Sequence, residues 1–592
     1  MVNGQRSMVN GLARTALVVL GALIALGAGA GRAAAQDTVQ IIRPEARAPD
    51  TTAGAQLPAE VLAELLAAWN DSLTTRITGN FLLPAGARLA GPVAVFRGNL
   101  RIAGELTGRV TVINGDLVVD PGGSVSGTVL VVGGRIDVRP GGILAGRRRS
   151  FPQVALLYRT SAGLLAIREP ARSLGDIASA RARLTSGRFR TTLSIETGRT
   201  YNRVEGLPIV FGPTIVREGL PNVEGRLDLR GIGWTASDRT DRRASFGYSG
   251  RLEFRFGQSR RLAVGTHVYR VVAPTEEQPL SRPETGWSAL LFQRDYRDYY
   301  QAQGAAGYLT YEVGGGLTAG TSLRRDGERS VPADDPISIF RNDAWRPNPL
   351  VDDGHFVTWR VGLDLDTRND HESPTSGWLV HSWWERSESD DAAPLTLPPE
   401  VRDPIPPGHY SSARVWLDAR RYARYSPTVR AAIRLVAGGW LGGAPLAVQR
   451  RFSLGGPDLL PGYNFRQLSC APTTLADPSH PALCDRVVAV QLEVRTRTRM
   501  GLPIPTTEPY LNALQRIFAI REPDVVIFGD AGAGWIAGDG PGRIPSNRIP
   551  VLGEWKEDVG FGFDAGGLGF YIAQPLTNGL PLTFTVRLQR RF

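Results

Sequence analysis

From about residue 193 to the last residue, apolar and polar side chains take turns with a period of two. In Val357–Asp366, Val357, Trp359, Val361, Leu363 and Leu365 alternate with Thr358, Arg360, Asp364 and Asp366. In Val488–Arg497, Val488, Val490, Leu492 and Val494 oppose Gln491, Glu493, Arg495 and Arg497, and Phe246–Phe256 follows the same scheme. The last segment sets Leu582, Phe584, Val586, Leu588 and Phe592 against Thr583, Thr585, Arg587, Gln589 and Arg591. Successive side chains of a strand point to opposite faces, so each segment builds one apolar and one polar face. A soluble sandwich also alternates, with its apolar face inward. Two features favour a membrane barrel instead. The polar faces carry arginines and acids together, as in a hydrated lumen, and Tyr299, Tyr300, Trp345, Trp383, Trp384 and Trp440 sit near expected strand ends, as in interfacial girdles. The expected fold is all-β: a transmembrane antiparallel barrel of about 16 strands over 191–592, behind a small β-solenoid.

The first 35 residues read as a signal peptide: Arg6 and Arg14 precede the apolar run Ala16–Gly31, and Ala33 and Ala35 form a small-x-small cleavage site. No later stretch has the ~18 consecutive apolar residues of a membrane helix, so a span must be made of strands. Residues 36–80 hold a Pro/Ala/Thr-rich linker and an amphipathic helix, with Val61, Leu62, Leu65, Leu66 and Trp69 at helical spacing after Pro58. Residues 151–190 read as a linker with a possible helix over Leu165–Leu184. Net charge is +11, carried by arginines with Lys556 as the single lysine. These arginines are spread along the alternating runs rather than clustered, so no nucleic-acid partner is expected.

Residues 81–150 contain a repeat. Val93–Arg109, Val110–Thr128 and Val129–Arg147 align almost without gaps, each a β-branched run, a Gly turn, a second alternating run and another turn. So short a period fits one coil of a β-solenoid, whose coils stack because none can bury its apolar edge alone. The section resembles the bactofilin-type, polymer-forming β-helix. The resemblance implies the fold and opens self-association as a partner mode.

Four stretches of the long alternating part resemble the outer-membrane assembly and translocation barrels of the BamA/TamA and two-partner-secretion type, the bacterial surface-antigen superfamily. Tyr201–Pro213 is similar to that family's early barrel segment. Asp364–Trp378 resembles its hairpin motif, with Asp366, Arg368, Pro374 and Gly377 in place. Phe452–Tyr463 resembles its long sixth loop, which folds into the lumen, with Phe452, Gly455, Gly456, Gly462 and Tyr463. Val525–Trp535 resembles the wall strand behind the loop, with Phe528, Asp530 and Gly532. The terminal Phe592 resembles the aromatic signal such barrels present to their own assembly machinery. The order along the chain matches.

Two departures stand out. The arginine with which the family's loop meets the wall aspartate is replaced by Pro461, leaving Arg466, Arg450 and Arg451 as candidates to face Asp530. No POTRA pattern is visible between Gln36 and Thr191. Cys470 and Cys484, the only cysteines, flank an excursion just past the loop motif and can form a disulfide after export.

The resemblance implies an outer-membrane location in a Gram-negative-type bacterium with the N-terminal part in the periplasm. It implies lipid, client outer-membrane or secreted proteins and the assembly machinery as partners. The implied activity is protein insertion or translocation through a lateral seam between the first strand, near Leu193–Thr200, and the last, Phe584–Phe592. A structural anchor displaying the solenoid and an anion-preferring pore are the alternatives. No cofactor, metal or catalytic residue is expected: the six histidines show no metal spacing, and no Gly-x-Ser-x-Gly elbow is present.

Overall fold

The computed structural model describes residues 57–592 apart from 152–154, 156, 160–162, 168–178, 199, 221, 237–245, 258–260, 277–279, 342, 370–373, 406–407, 427, 469, 471–482, 498–523, 541, 566–567 and 578. The signal peptide and the Pro/Ala/Thr-rich linker that follows it lie outside the described residues, as does part of the linker read over 151–190.

Residues 75–151 wind as a parallel β-solenoid, one coil longer at its start than the repeat suggests. Five strands, Thr75–Thr78, Val93–Phe96, Val110–Ile113, Val129–Val132 and Arg148–Phe151, stack as one sheet, and two four-stranded sheets complete the coils. Val93, Val95, Val110, Val112, Val129 and Val131 fill the interior. A Gly98–Gly115–Gly134 column lets successive turns approach: a Cβ on Gly115 would lie 1.8 Å from the Gly98 carbonyl oxygen. Beside it the Asn99, Asp116 and Arg135 amides donate to the side chains of Asn80, Asn99 and Asp116 at 2.7–2.9 Å.

The predicted amphipathic helix is α1, Ala59–Asn70. Its buried Val61, Leu65 and Trp69 cover Phe96, Ile113, Leu130 and Val132 on the outer face of the five-stranded sheet, which is why those strands are buried on both sides. A hairpin of Leu157–Arg159 and Leu165–Ile167 completes this layer.

The remaining described residues are built on one antiparallel sheet of 17 strands, each paired with its neighbours in sequence. These are β1 Ser179–Ser186, β2 Phe189–Thr197, β3 Ile209–Leu220, β4 Val223–Gly233, β5 Phe246–Phe256, β6 Leu262–Pro274, β7 Tyr299–Gly314, β8 Leu317–Ser330 and β9 Gly354–Asp366. They continue as β10 Gly377–Ala392, β11 Gly408–Arg424, β12 Val429–Gly443, β13 Arg486–Arg497, β14 Asp524–Trp535, β15 Lys556–Ala565, β16 Leu568–Pro575 and β17 Thr583–Arg587. The strand beyond the expected sixteen is β1. Its Ala- and Arg-rich sequence suggested helix, but it pairs along its whole length with β2, and that pairing overrides local propensity. The sheet therefore begins at Ser179 rather than near residue 191.

Side-chain exposure separates the two readings of the alternation. On β13, Leu492 and Val494 are 54% and 48% exposed whereas Gln491, Glu493 and Arg495 are buried. On β9, Trp359 and Leu363 face out and Thr358 faces in. The apolar face is thus outermost and the charged face enclosed, the reverse of a soluble sandwich, so the surroundings of this sheet must be apolar. The described helices include none long and apolar enough to cross a membrane.

The aromatic expectation needs correction. Tyr299, Tyr300, Trp345 and Trp383 are buried inside rather than set in an outer girdle. Of the adjacent tryptophans, Trp383 lies under the Arg360 and Arg414 guanidiniums, while Trp384 meets Trp359 edge-on at 5.2 Å. Strand parity divides the pair between faces.

Candidate functional site

The stretch that breaks the alternation lies in the connection between β12 and β13, residues 444–485, and it packs on the enclosed polar face of the sheet. Its entrance is fixed by ions. Arg450 meets Glu328 of β8 with both terminal nitrogens at 2.8 Å, donates to Ser387 Oγ and sits 4.3 Å over the Phe356 ring. Arg451 pairs with Asp485 at 2.8 Å and donates to the Val401 carbonyl. Phe452 stacks on Trp416 of β11 at 5.4 Å and exchanges backbone hydrogen bonds with Cys484.

The tip is a tight reversal. Gly455 and Gly456 have φ of +92° and +88°, a region that disfavours other residues, and Leu460 donates back to the Gly456 carbonyl. Leu459, Leu460 and Tyr463 join Trp383, Trp416 and Val487 in one apolar cluster. Around it the wall satisfies the tip's polar groups. Gln491 of β13 donates to the Asp458 and Leu459 carbonyls, both at 2.9 Å, and Arg434 of β12 reaches Asp458 at 3.1 Å and Asp418 at 2.8 Å. The Gly462 amide donates to Asp558 Oδ2 of β15 at 2.7 Å, and Thr583 of β17 donates to the Pro461 carbonyl. The Tyr463 hydroxyl lies between the Glu557 carbonyl and Thr577.

None of Arg466, Arg450 and Arg451 takes the wall aspartate. Asp530 pairs instead with Arg591, whose guanidinium lies 3.8 Å over the Phe528 ring. Pro461 leaves the tip without a cation, and the chain's own C-terminus supplies it. Arg466, at φ +62°, turns to the long connections of the other strands and meets Asp298 at 2.7 Å and Glu276 at 3.2 Å. There Arg203, in the early segment of the motif series, is fully buried between Asp295 and Asp298. Burial pushes the Asp298 carboxyl up, yet Arg346, Arg466 and Arg203 outweigh it and hold the group well below the ordinary carboxylate range. Glu276 goes the other way, raised by burial that Arg466 only partly offsets. Arg297 is lowered to about 10 by burial, with Arg282 adding to it.

The C-terminal strand is shorter than its sequence suggests. β17 stops at Arg587, and Leu588–Phe592 fold back so that Arg591 and Phe592 are buried. Two causes act together. The preceding hairpin starts β16 at Leu568, one residue before the Gly569 that faces Arg587, so among the described residues no partner strand continues beyond. Helix α2, Arg282–Phe292, whose N-terminus is closed by a capping box between Ser281 and Glu284, presents the Glu284 carboxylate. That carboxylate pairs with Arg587 at 2.8 Å and accepts the Leu588 and Gln589 amides at 2.9 and 3.1 Å. Among the described residues no backbone pairing joins β17 to β1.

The other motif residues have local roles. Asp366 and Arg368 pair at 2.6 Å at the end of β9, Pro374 is buried, and Gly377 opens β10 at φ +108°. Cys470 and Cys484 are disulfide-bonded with Cα atoms 5.2 Å apart. Gly532 packs on Leu454 of the loop: a Cβ there would lie 3.1 Å from a Leu454 methyl. Glu284, Arg434, Gln491, Asp558 and Arg591 escaped the motif reading. Their one sequence signal is their charge or polarity: Gln491 and Arg591 sit on polar faces named above, but strand parity says nothing about which distant group each will meet.

No family model matches this sequence, and no curated protein does. Among solved structures the chain is similar to BamA from Haemophilus ducreyi lacking POTRA domains 1-3, at 13% identity, covering 69% of this chain and 73% of that one with a TM-score of 0.40. It is also similar to CdiB from Acinetobacter baumannii, at 12% identity, 68% and 59% coverage and a TM-score of 0.28. CdiB from Escherichia coli stands at 10% identity, 69% and 66% coverage and a TM-score of 0.30. The likeness is one of fold.

Proposed function

We propose that this chain is an outer-membrane barrel that inserts or translocates proteins through a seam between β1 and β17, with the 450–466 loop held in the lumen as a plug. One observation carries the reading. In a sheet whose strands mostly run 8 to 17 residues, the last has five, and the next two amides are held by a side chain rather than by a neighbouring strand. An edge kept short and occupied is available to template an incoming strand once released. Folding of the client supplies the free energy, so no nucleotide is required.

Cysteine pairs placed between Ala180–Thr185 and Thr583–Arg587 test this in proteoliposomes given an unfolded client barrel. A pair that crosslinks should stop client insertion, and reduction should restore it. Full insertion with the crosslink in place refutes the seam.

The passive-pore reading is less well supported, because the arginines of the polar face are matched by acids, as in Arg434–Asp418 and Arg450–Glu328, and so create little net anion-attracting field. The anchor reading has its own support. Arg424 at the end of β11 reaches Asp116 and, at 2.6 Å, the Gly133 carbonyl, tying the solenoid to the sheet. Deleting 93–147 separates the two: a translocator retains client insertion, an anchor loses its role.

A further inference from the structure

Asp530 of β14 and Asp558 of β15 are direct cross-strand partners, both buried. Two carboxylates so placed repel. Each serves a different segment: Asp558 Oδ2 accepts the Gly462 amide at the loop tip, and Asp530 Oδ2 accepts Arg591 of the C-terminal tail. The second oxygen of each acid has no hydrogen-bond partner, nor have Nε and Nη1 of Arg591. One guanidinium, paired with Asp530, therefore stands beside two acids on which two separate pieces of chain hang.

We infer that Arg591 is a positioning residue for the loop, acting through the acid pair: the tail is a removable counter-ion whose withdrawal leaves Asp530 and Asp558 facing one another and loosens Gly462 from the wall. A second link runs in parallel, since Arg587 donates to the Pro457 carbonyl at 3.0 Å while held by Glu284. Drawing the tail out of the lumen and undocking the loop tip are then one event. Resting on the seam proposal, this supplies what that proposal lacks, a reason why engaging β17 should open the plug. The coupling is reciprocal, so a displaced loop loosens the tail equally.

Hydrogen exchange of the full chain in lipid nanodiscs reads the link with no client present, so it can fail while the seam stands, and the reverse. Arg591→Ala is expected to speed exchange across 455–463 by roughly 5- to 150-fold, the usual range of such couplings. Deleting 588–592 should do the same, and Arg591→Lys should stay near the parent. Arg591→Ala combined with Asp530→Asn should return the loop toward parental protection, because Asp558 then no longer faces a second carboxylate. Unchanged exchange at 455–463 in Arg591→Ala, or failure of Asp530→Asn to restore it, overturns the inference. Arg591→Gln, which keeps a polar side chain without the charge, takes its place if the alanine variant does not fold, with the same two outcomes.

Discussion

Removing the Glu284 carboxylate should free the end of the last strand, and the size of the effect follows from its contacts. The side chain is buried, pairs with a buried Arg587 at 2.8 Å and accepts two successive backbone amides. Burial pushes the pKa of this carboxyl up, but Arg587 and the Ser281 and Gln589 donors outweigh this and hold it below the usual glutamate range. Breaking a buried ion pair by deleting one partner costs about 3–5 kcal/mol, because the other charge is stranded. Arg587 keeps its bond to Pro457, which places the loss near the lower end. At 1.4 kcal/mol per factor of ten, Glu284→Ala should raise exchange at Leu588 and Gln589 by about a hundredfold to a few thousandfold. Glu284→Gln, retaining one acceptor oxygen and no charge, should fall between. The amides of β15 and β16, bonded strand to strand, serve as the internal reference and should not move. If Leu588 and Gln589 exchange in Glu284→Ala as in the parent, the carboxylate does not hold the tail and the account of the short last strand is wrong.

Arg450→Met should destabilise the docked loop by about 3–5 kcal/mol by stranding Glu328, and adding Glu328→Leu should recover much of it; denaturant titration of the four members of the cycle measures the coupling, and simple additivity contradicts a direct pair. Gly115→Ala should disrupt the coil stacking and leave the sheet intact, seen as protease cleavage confined to 75–151, since its Cβ has nowhere to go. Burial raises Glu205 from 4.5 to about 7. Its neutral form is favoured in the folded state, so its contribution is complete below pH 4.5 and falls by about 3 kcal/mol as pH rises to about 7. Glu205→Gln should flatten the stability–pH slope over that window, and an unchanged slope assigns the titration elsewhere.

Local chemistry settled much of this molecule in advance. Alternation fixes which side chains share a face because the strand period is two, so the charged and apolar faces of β9 and β13 could be named from residues alone. The solenoid followed from a repeat too short for any other stacking unit, and α1 from its apolar spacing. Alternation alone leaves open which face lies outside, since sandwich and membrane barrel share the pattern; the arginines and acids mixed on the polar faces pointed to the barrel, and the tertiary structure encloses that charged face. Strand ends were also beyond local reading. Leu588–Phe592 continues the alternation, yet a strand lasts only while a neighbour offers hydrogen bonds, and that neighbour begins at Leu568. Motif order led to Asp530 but not to its partner. Arg591 lies 61 residues away in sequence, and a pairing of that range is set by which segments the curved sheet brings together. Sequence supplied the charges; the curvature of the sheet chose which of them meet.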